Sequence, residues 1–80
     1  MDYSYNTNGT CSRKIFFSIE DGKLHNVSFV GGCNGNLKAI SKLVEGMDCK
    51  KVVEILEGNT CGLRPTSCAD QLAKAIKERI

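Results

Sequence analysis

Five cysteines in eighty residues carry most of the chemistry this sequence can do. Cys49 falls on the apolar stripe Cys49, Val52, Val53 and Leu56 of an expected helix. A cysteine in that position reads as a small core residue. Cys11, Cys33, Cys61 and Cys68 fall instead in glycine-, serine- and threonine-rich segments or where an element is expected to begin. Loops can converge at one rim while the elements bury their own faces, so such positions suit metal ligands. Four thiolates are the donor set of a closed zinc site or an iron–sulfur cluster. Against this stands the plainer reading of four reduced, unliganded thiols. Cys61 and Cys68 have six residues between them, wider than the C-x2-4-C knuckle of ordinary zinc fingers. A third possibility is a redox dithiol built from that pair, less natural than C-x-x-C.

Neighbouring residues add to the metal reading. With Ser67 as N-cap, Cys68 lies in the first turn of a helix, where unpaired N–H groups and the positive dipole end favour a thiolate. Arg13 and Lys14 stand near Cys11, and Arg64 between Cys61 and Cys68. A tetrathiolate around Zn²⁺ carries net charge −2, which adjacent cations stabilise. The residues expected to support the thiolates from outside are thus Arg13, Arg64, Ser67 and Asp70.

Other chemistry finds little support. His25 is a lone histidine on a strand, with no second histidine and no obvious carboxylate partner in sequence, and reads as a surface or rim residue. No G-x-x-x-x-G-K-[ST] loop is present. Gly31-Gly32-Cys33-Asn34-Gly35-Asn36 leads from a strand to a helix without the dinucleotide fingerprint, leaving nucleotide binding a weak guess. No base-and-nucleophile set for hydrolysis can be assembled.

The elements that must position these residues follow from periodicity. Tyr3 to Thr7 alternates aromatic and polar residues as an edge strand would. Ile15, Phe17 and Ile19 share one face of a second strand, Asp21-Gly22 marks a hairpin, and Leu24 to Val30 returns as the third. A two-residue loop would set Phe17 opposite Asn26. A three-residue loop sets Phe17 opposite Val27 and Ile15 opposite Phe29, keeping one face apolar, and is the expected register. Leu37, Ile40, Ser41 and Val44 then give a helix behind Asn34 or Asn36 as N-cap, ended by Gly46. Asp48 caps a second helix closed by Gly58. Ser67 and Asp70, at capping-box spacing, open a third that runs to Ile80 with Leu72, Ala73, Ile76 and Ile80 inward. Strands first and helices after predict an α+β fold: a three-stranded antiparallel sheet with three helices packed on one face, in a single domain over residues 1–80.

Composition sets the outer bounds. Hydrophobic residues make up 41% and charged residues 25%, an ordinary globular balance. A net charge of +2, dispersed along helix faces, gives no reason to expect nucleic acid as a partner. No apolar run approaches the ~18 residues of a membrane span, and Met1-Asp2-Tyr3-Ser4 lacks a signal-peptide pattern, so no membrane partner and a cytoplasmic location are expected. Thiols stay reduced there, which favours ligands or core residues over disulfides.

The string Arg64-Pro65-Thr66-Ser67-Cys68-Ala69-Asp70-Gln71-Leu72-Ala73 resembles the motif that names the TSCPD domain family. Gly9-Thr10-Cys11-Ser12, Gly31-Gly32-Cys33-Asn34-Gly35-Asn36, Leu43-Val44-Glu45-Gly46-Met47 and Cys61-Gly62 are similar to further blocks of that family, so the likeness covers nearly the whole chain. Ala69 stands where the motif has proline. The resemblance implies kinship with a C-terminal domain of adenosylcobalamin-dependent (class II) ribonucleotide reductases. It also implies a ribonucleotide reductase as a possible partner and an accessory role in deoxynucleotide synthesis, because eighty residues leave no room for the reductase's catalytic barrel. The chain also resembles, more distantly, the iron–sulfur scaffold proteins of the IscU/NifU type. Cys11, Cys33 and Cys68 match the three scaffold cysteines. Arg13 stands where the scaffold has aspartate and Ser67 where it has histidine, and Cys61 is extra. These departures point away from cluster transfer and towards a closed four-cysteine site.

Overall fold

The computed structural model describes residues 2–7, 12–31, 34–59 and 66–80. Three strands come first, β1 (Asp2–Asn6), β2 (Ser12–Glu20) and β3 (Lys23–Gly31), and three helices follow, α1 (Asn34–Val44), α2 (Cys49–Leu56) and α3 (Cys68–Lys77). The strands form one antiparallel sheet in the order β1-β2-β3. The expected α+β architecture is therefore the observed one.

The hairpin resolves the register in a way that neither simple loop length anticipates. Asp21 and Gly22 both have positive φ, 51° and 75°, the signature of a two-residue type I′ turn, and Glu20 pairs with Lys23. The three-residue loop is thus not formed. Ser18 faces His25 and Ile19 faces Leu24 near the turn, yet farther along Ile15 faces Phe29, as expected from the apolar pattern. A bulge accommodates both: Asn26 and Val27 together stand opposite Phe17, and Asn26 has φ of 55°. The Asp-Gly turn provides the twist the strands need, and the extra residue returns Val27 to the same buried face as Leu24.

That face is the core. Ile15, Phe17, Leu24 and Val27 pack with Val44, Cys49, Val52, Leu72, Ala75 and Ile76 in one cluster. Tyr3 pairs with Phe17 across β1 and β2, with ring centroids 5.5 Å apart. Phe16 and Val30, of opposite parity, remain exposed, so the helices cover one side of the sheet.

The helix ends follow local chemistry. α1 begins at Asn34, which puts both Asn34 and Asn36 inside the helix, so neither is the N-cap expected of them. Gly46, at φ 77°, takes the left-handed position expected of it. The link to α2 is stitched to the start of β3: Gly46 N–H donates to Leu24 O, Leu24 N–H to Met47 O, and Cys49 N–H to Gly22 O. Asp48 caps α2 by accepting from Lys50 N–H at 2.9 Å. α3 is shorter than expected. It ends at Lys77, where the last turn tightens with Arg79 N–H donating to Ile76 O. Ile80 is exposed, not inward, while Arg79 places its guanidinium 4.9 Å from the Tyr3 ring centroid.

Candidate functional site

α3 opens where the cysteine motif lies. Ser67 has extended backbone angles and its hydroxyl accepts from Asp70 N–H at 3.1 Å, so it is the N-cap the sequence predicts. Cys68 is then the first helical residue and is half-buried.

Asp70 does not complete the expected capping box with Ser67. Its carboxylate, 2% exposed, is committed to other donors. Oδ1 accepts from Gly58 N–H at 2.7 Å, Oδ2 accepts from the Thr66 hydroxyl, and Lys74 Nζ lies 3.2 Å from Oδ2. Gln71 Nε2 donates to Thr66 Oγ1 at 3.1 Å, and the Ser67 hydroxyl donates to Asn59 O. Burial pushes the Asp70 carboxyl up, but the Thr66 hydroxyl, the Gly58 N–H and the Lys74 ammonium outweigh it and hold the group below the usual carboxylate range. Among the described residues no buried side-chain nitrogen or oxygen lacks a partner. The sequence reading missed Thr66, Gln71, Lys74 and the backbone of Gly58 in this network. Only the Asp70–Lys74 spacing of four residues was a readable signal.

At the opposite end of the sheet from the hairpin turn, Ser12 pairs with Gly31. Cys11 directly precedes Ser12 and Cys33 follows Gly31 by two residues. A second irregularity lies here, with Arg13 between the Ser12–Gly31 and Lys14–Val30 pairs; Arg13 is exposed and its carbonyl accepts from Thr7 N–H at 3.2 Å. Cys11, Cys33, Cys61 and Arg64 themselves lie outside the described residues. Among the described residues no three His, Cys, Asp or Glu side chains converge as metal ligands. Cys49 is 1% exposed in the core, as its helix stripe implied, and burial, aided by Asp48, pushes its thiol up.

Two further features lie apart from the α3 start. His25 has a carboxylate partner after all: Glu45 Oε2 is 2.6 Å from Nδ1, and Glu45 Oε1 accepts from Asn26 N–H at 2.9 Å. Those bonds hold Glu45 below the usual carboxylate range, the Asn26 N–H being the larger cause and His25 the next. A groove of about 200 Å³ between α1 and β3 is lined by Val27, Ser28, Phe29, Leu37, Lys38 and Ser41.

A three-stranded sheet covered on one side by three helices, with a capped cysteine opening the last, defines a small α+β cysteine domain. The family model for the TSCPD domain matches residues 2–80, and the chain belongs to that family. No curated protein and no solved structure matches it. Among the described residues no helix is long and apolar enough to cross a membrane.

Proposed function

We propose that this TSCPD domain is a small metal-binding module, with Cys11, Cys33, Cys61 and Cys68 holding Zn²⁺ or an iron–sulfur cluster, and that it is accessory to ribonucleotide reduction. The observation that carries this reading is the Ser12–Gly31 pair at the end of β2 and β3, since Cys11 precedes Ser12 by one residue in sequence and Cys33 follows Gly31 by two. Consecutive Cα atoms are about 3.8 Å apart, so the reading asks only one and two residues of chain to lead from that pair to the two thiols. Cys68 contributes a half-buried sulfur at a helix start, an environment that stabilises a thiolate.

The donor set fits the group. Four sulfur ligands suit tetrahedral zinc or a cluster, and leave no open coordination position for a substrate. Bound there, the metal would supply cross-linking of loops in a domain whose size permits only a thin core. The Arg13 and Ser67 departures from the iron–sulfur scaffold pattern support a closed centre over cluster transfer. Membership of the TSCPD family supports the connection with ribonucleotide reductase as partner.

Elemental analysis and visible absorption of anaerobically purified full-length chain test the reading. A single zinc or iron–sulfur centre per chain, lost on Cys68→Ser, is the expected result. A folded protein that is colourless and metal-free overturns it. A reversible Cys61–Cys68 disulfide in that metal-free protein would support the dithiol reading instead.

A further inference from the structure

The sheet has two edges, and among the described residues the fold covers one of them. Along β3 the outer edge is taken: Leu24 N–H donates to Met47 O, Leu24 O accepts from Gly46 N–H, and Glu45 Oε1 accepts from Asn26 N–H at the bulge. At the other edge, among the described residues, β1 pairs with β2 alone and its register is unbroken. Thr7 N–H, one step past the Asn6–Lys14 pair, donates to Arg13 O at 3.2 Å, so Thr7 points its backbone N–H at β2. Antiparallel strands alternate, which turns the N–H and C=O groups of Asp2, Ser4 and Asn6 outward. Edge strands are commonly guarded by proline, by lysine or by a bulge, and Asp2-Tyr3-Ser4-Tyr5-Asn6 has none of these.

We propose that β1 is the interface of a homodimer, in which two copies join their sheets edge to edge about a two-fold axis at Ser4. The strand is self-complementary in the antiparallel sense that such an axis requires. Ser4 faces the partner's Ser4, and Asp2 faces the partner's Asn6. These are the residues whose backbone groups point outward, so each facing pair exchanges both N–H···O bonds. On the core face Tyr3 meets the partner's Tyr5 in a non-hydrogen-bonded pair, where Cα atoms approach to about 4.5 Å and aromatic side chains pack together. Both tyrosines are half-buried and already pack on the core, so the pairing continues that face across the axis. On the opposite face charge selects the register. Asp2 is set against the side-chain amide of the partner's Asn6, with the partner's Lys14 one strand beyond, because Asn6 pairs with Lys14. A slip that paired Asp2 with the partner's Asp2 would oppose two carboxylates and leave Ser4 and Asn6 without facing residues. The pairing asks nothing of the cysteines and stands apart from the metal reading.

Sedimentation velocity of the full chain over a wide range of concentration, in reductant so that thiols do not cross-link copies, tests the pairing. A reversible monomer–dimer equilibrium is the expected result. Ser4→Pro removes one outward N–H from each copy and leaves the bonds between β1 and β2 in place, since proline is tolerated where the N–H faces away from the sheet. It should weaken dimerisation by about tenfold or more. Ser4→Lys keeps every backbone bond but sets two ammonium groups directly opposite; it should also weaken the dimer, and carries the test if Ser4→Pro does not fold. Ser4→Thr should leave the equilibrium unchanged. A mixture of isotope-labelled and unlabelled chains reads the register, with an intermolecular nuclear Overhauser effect expected between the α-protons of Tyr3 and the partner's Tyr5. A chain that stays monomeric at every concentration overturns the proposal, including one whose β1 edge accepts an extended peptide of another protein instead. A dimer that folded Ser4→Pro and Ser4→Lys leave unchanged overturns it too, as does a dimer without the Tyr3–Tyr5 contact.

Discussion

The Glu45 carboxylate, just past the end of α1, bridges two neighbours on β3: Oε2 is 2.6 Å from His25 Nδ1 and Oε1 accepts from Asn26 N–H. Asn26 is the left-handed residue of the β-bulge, so its N–H has left the regular ladder. One carboxylate thereby closes a gap that the bulge opens and ties the end of α1 to the sheet.

This arrangement has a pH dependence of definite sign. The Glu45 carboxyl is held below its ordinary value, first by Asn26 N–H and then by His25. A depressed carboxyl contributes stability that is fully present above its unfolded-state value, about 4.3, and lost as pH falls through its folded value. Carboxyl-carbon NMR titration should therefore find Glu45 titrating below a glutamate in the urea-unfolded chain. Glu45→Gln should speed hydrogen exchange at Asn26. An undepressed Glu45 would show that the bridge does not persist in solution.

The bulge itself makes a second prediction. Asn26 has φ of 55°, a region that costs ordinary L-residues about 1–2 kcal/mol and β-branched ones more than asparagine. Asn26→Val should destabilise by about that amount, whereas Asn26→Gly should be within about 0.5 kcal/mol of the native chain. Urea denaturation measures both. Equal stability of the two variants would mean that the hairpin abandons the bulge.

How far the sequence discloses this molecule depends on how local each signal is. The turn at Asp21-Gly22, the caps Asp48 and Ser67, and the stop at Gly46 each depend on a residue and its immediate neighbours, and all four are found. The bulge is a compromise between a turn that wants two residues and an apolar face that wants three, and either demand read alone gives a wrong hairpin. Asp70 sits at capping-box spacing, but its partner Gly58 is twelve residues away, and Glu45 reaches His25 across twenty. Spacing along the chain does not reveal such pairs. Of the cysteines, Cys49 on its stripe and Cys68 at its helix start were legible; Cys11, Cys33 and Cys61 lie outside the described residues.

Cys49 should behave unlike an exposed thiol. It is 1% exposed, and burial together with Asp48 pushes its thiol up, so little thiolate forms and reagent reaches it only through opening of the fold. Timed alkylation of the native, metal-free chain followed by peptide mass mapping should show Cys49 modified far more slowly than Cys68, with the difference abolished in urea. Comparable native rates would contradict its place in the core.

The end of α3 offers a contrast between two apolar residues that the periodic pattern treats alike. Leu72 is fully buried among the sheet and α2, while Ile80 lies beyond the last turn and is 54% exposed. Removing a buried leucine side chain loses its transfer energy and leaves a cavity, so Leu72→Ala should destabilise by about 2–5 kcal/mol. Ile80→Ala removes side-chain surface that is already half in water and should change stability by no more than about 0.5 kcal/mol. Both follow from urea midpoints at constant slope. A large loss at Ile80 would mean that α3 extends to the chain end and folds that side chain inward, as the pattern Leu72, Ala73, Ile76, Ile80 implies when tightening of the last turn is ignored.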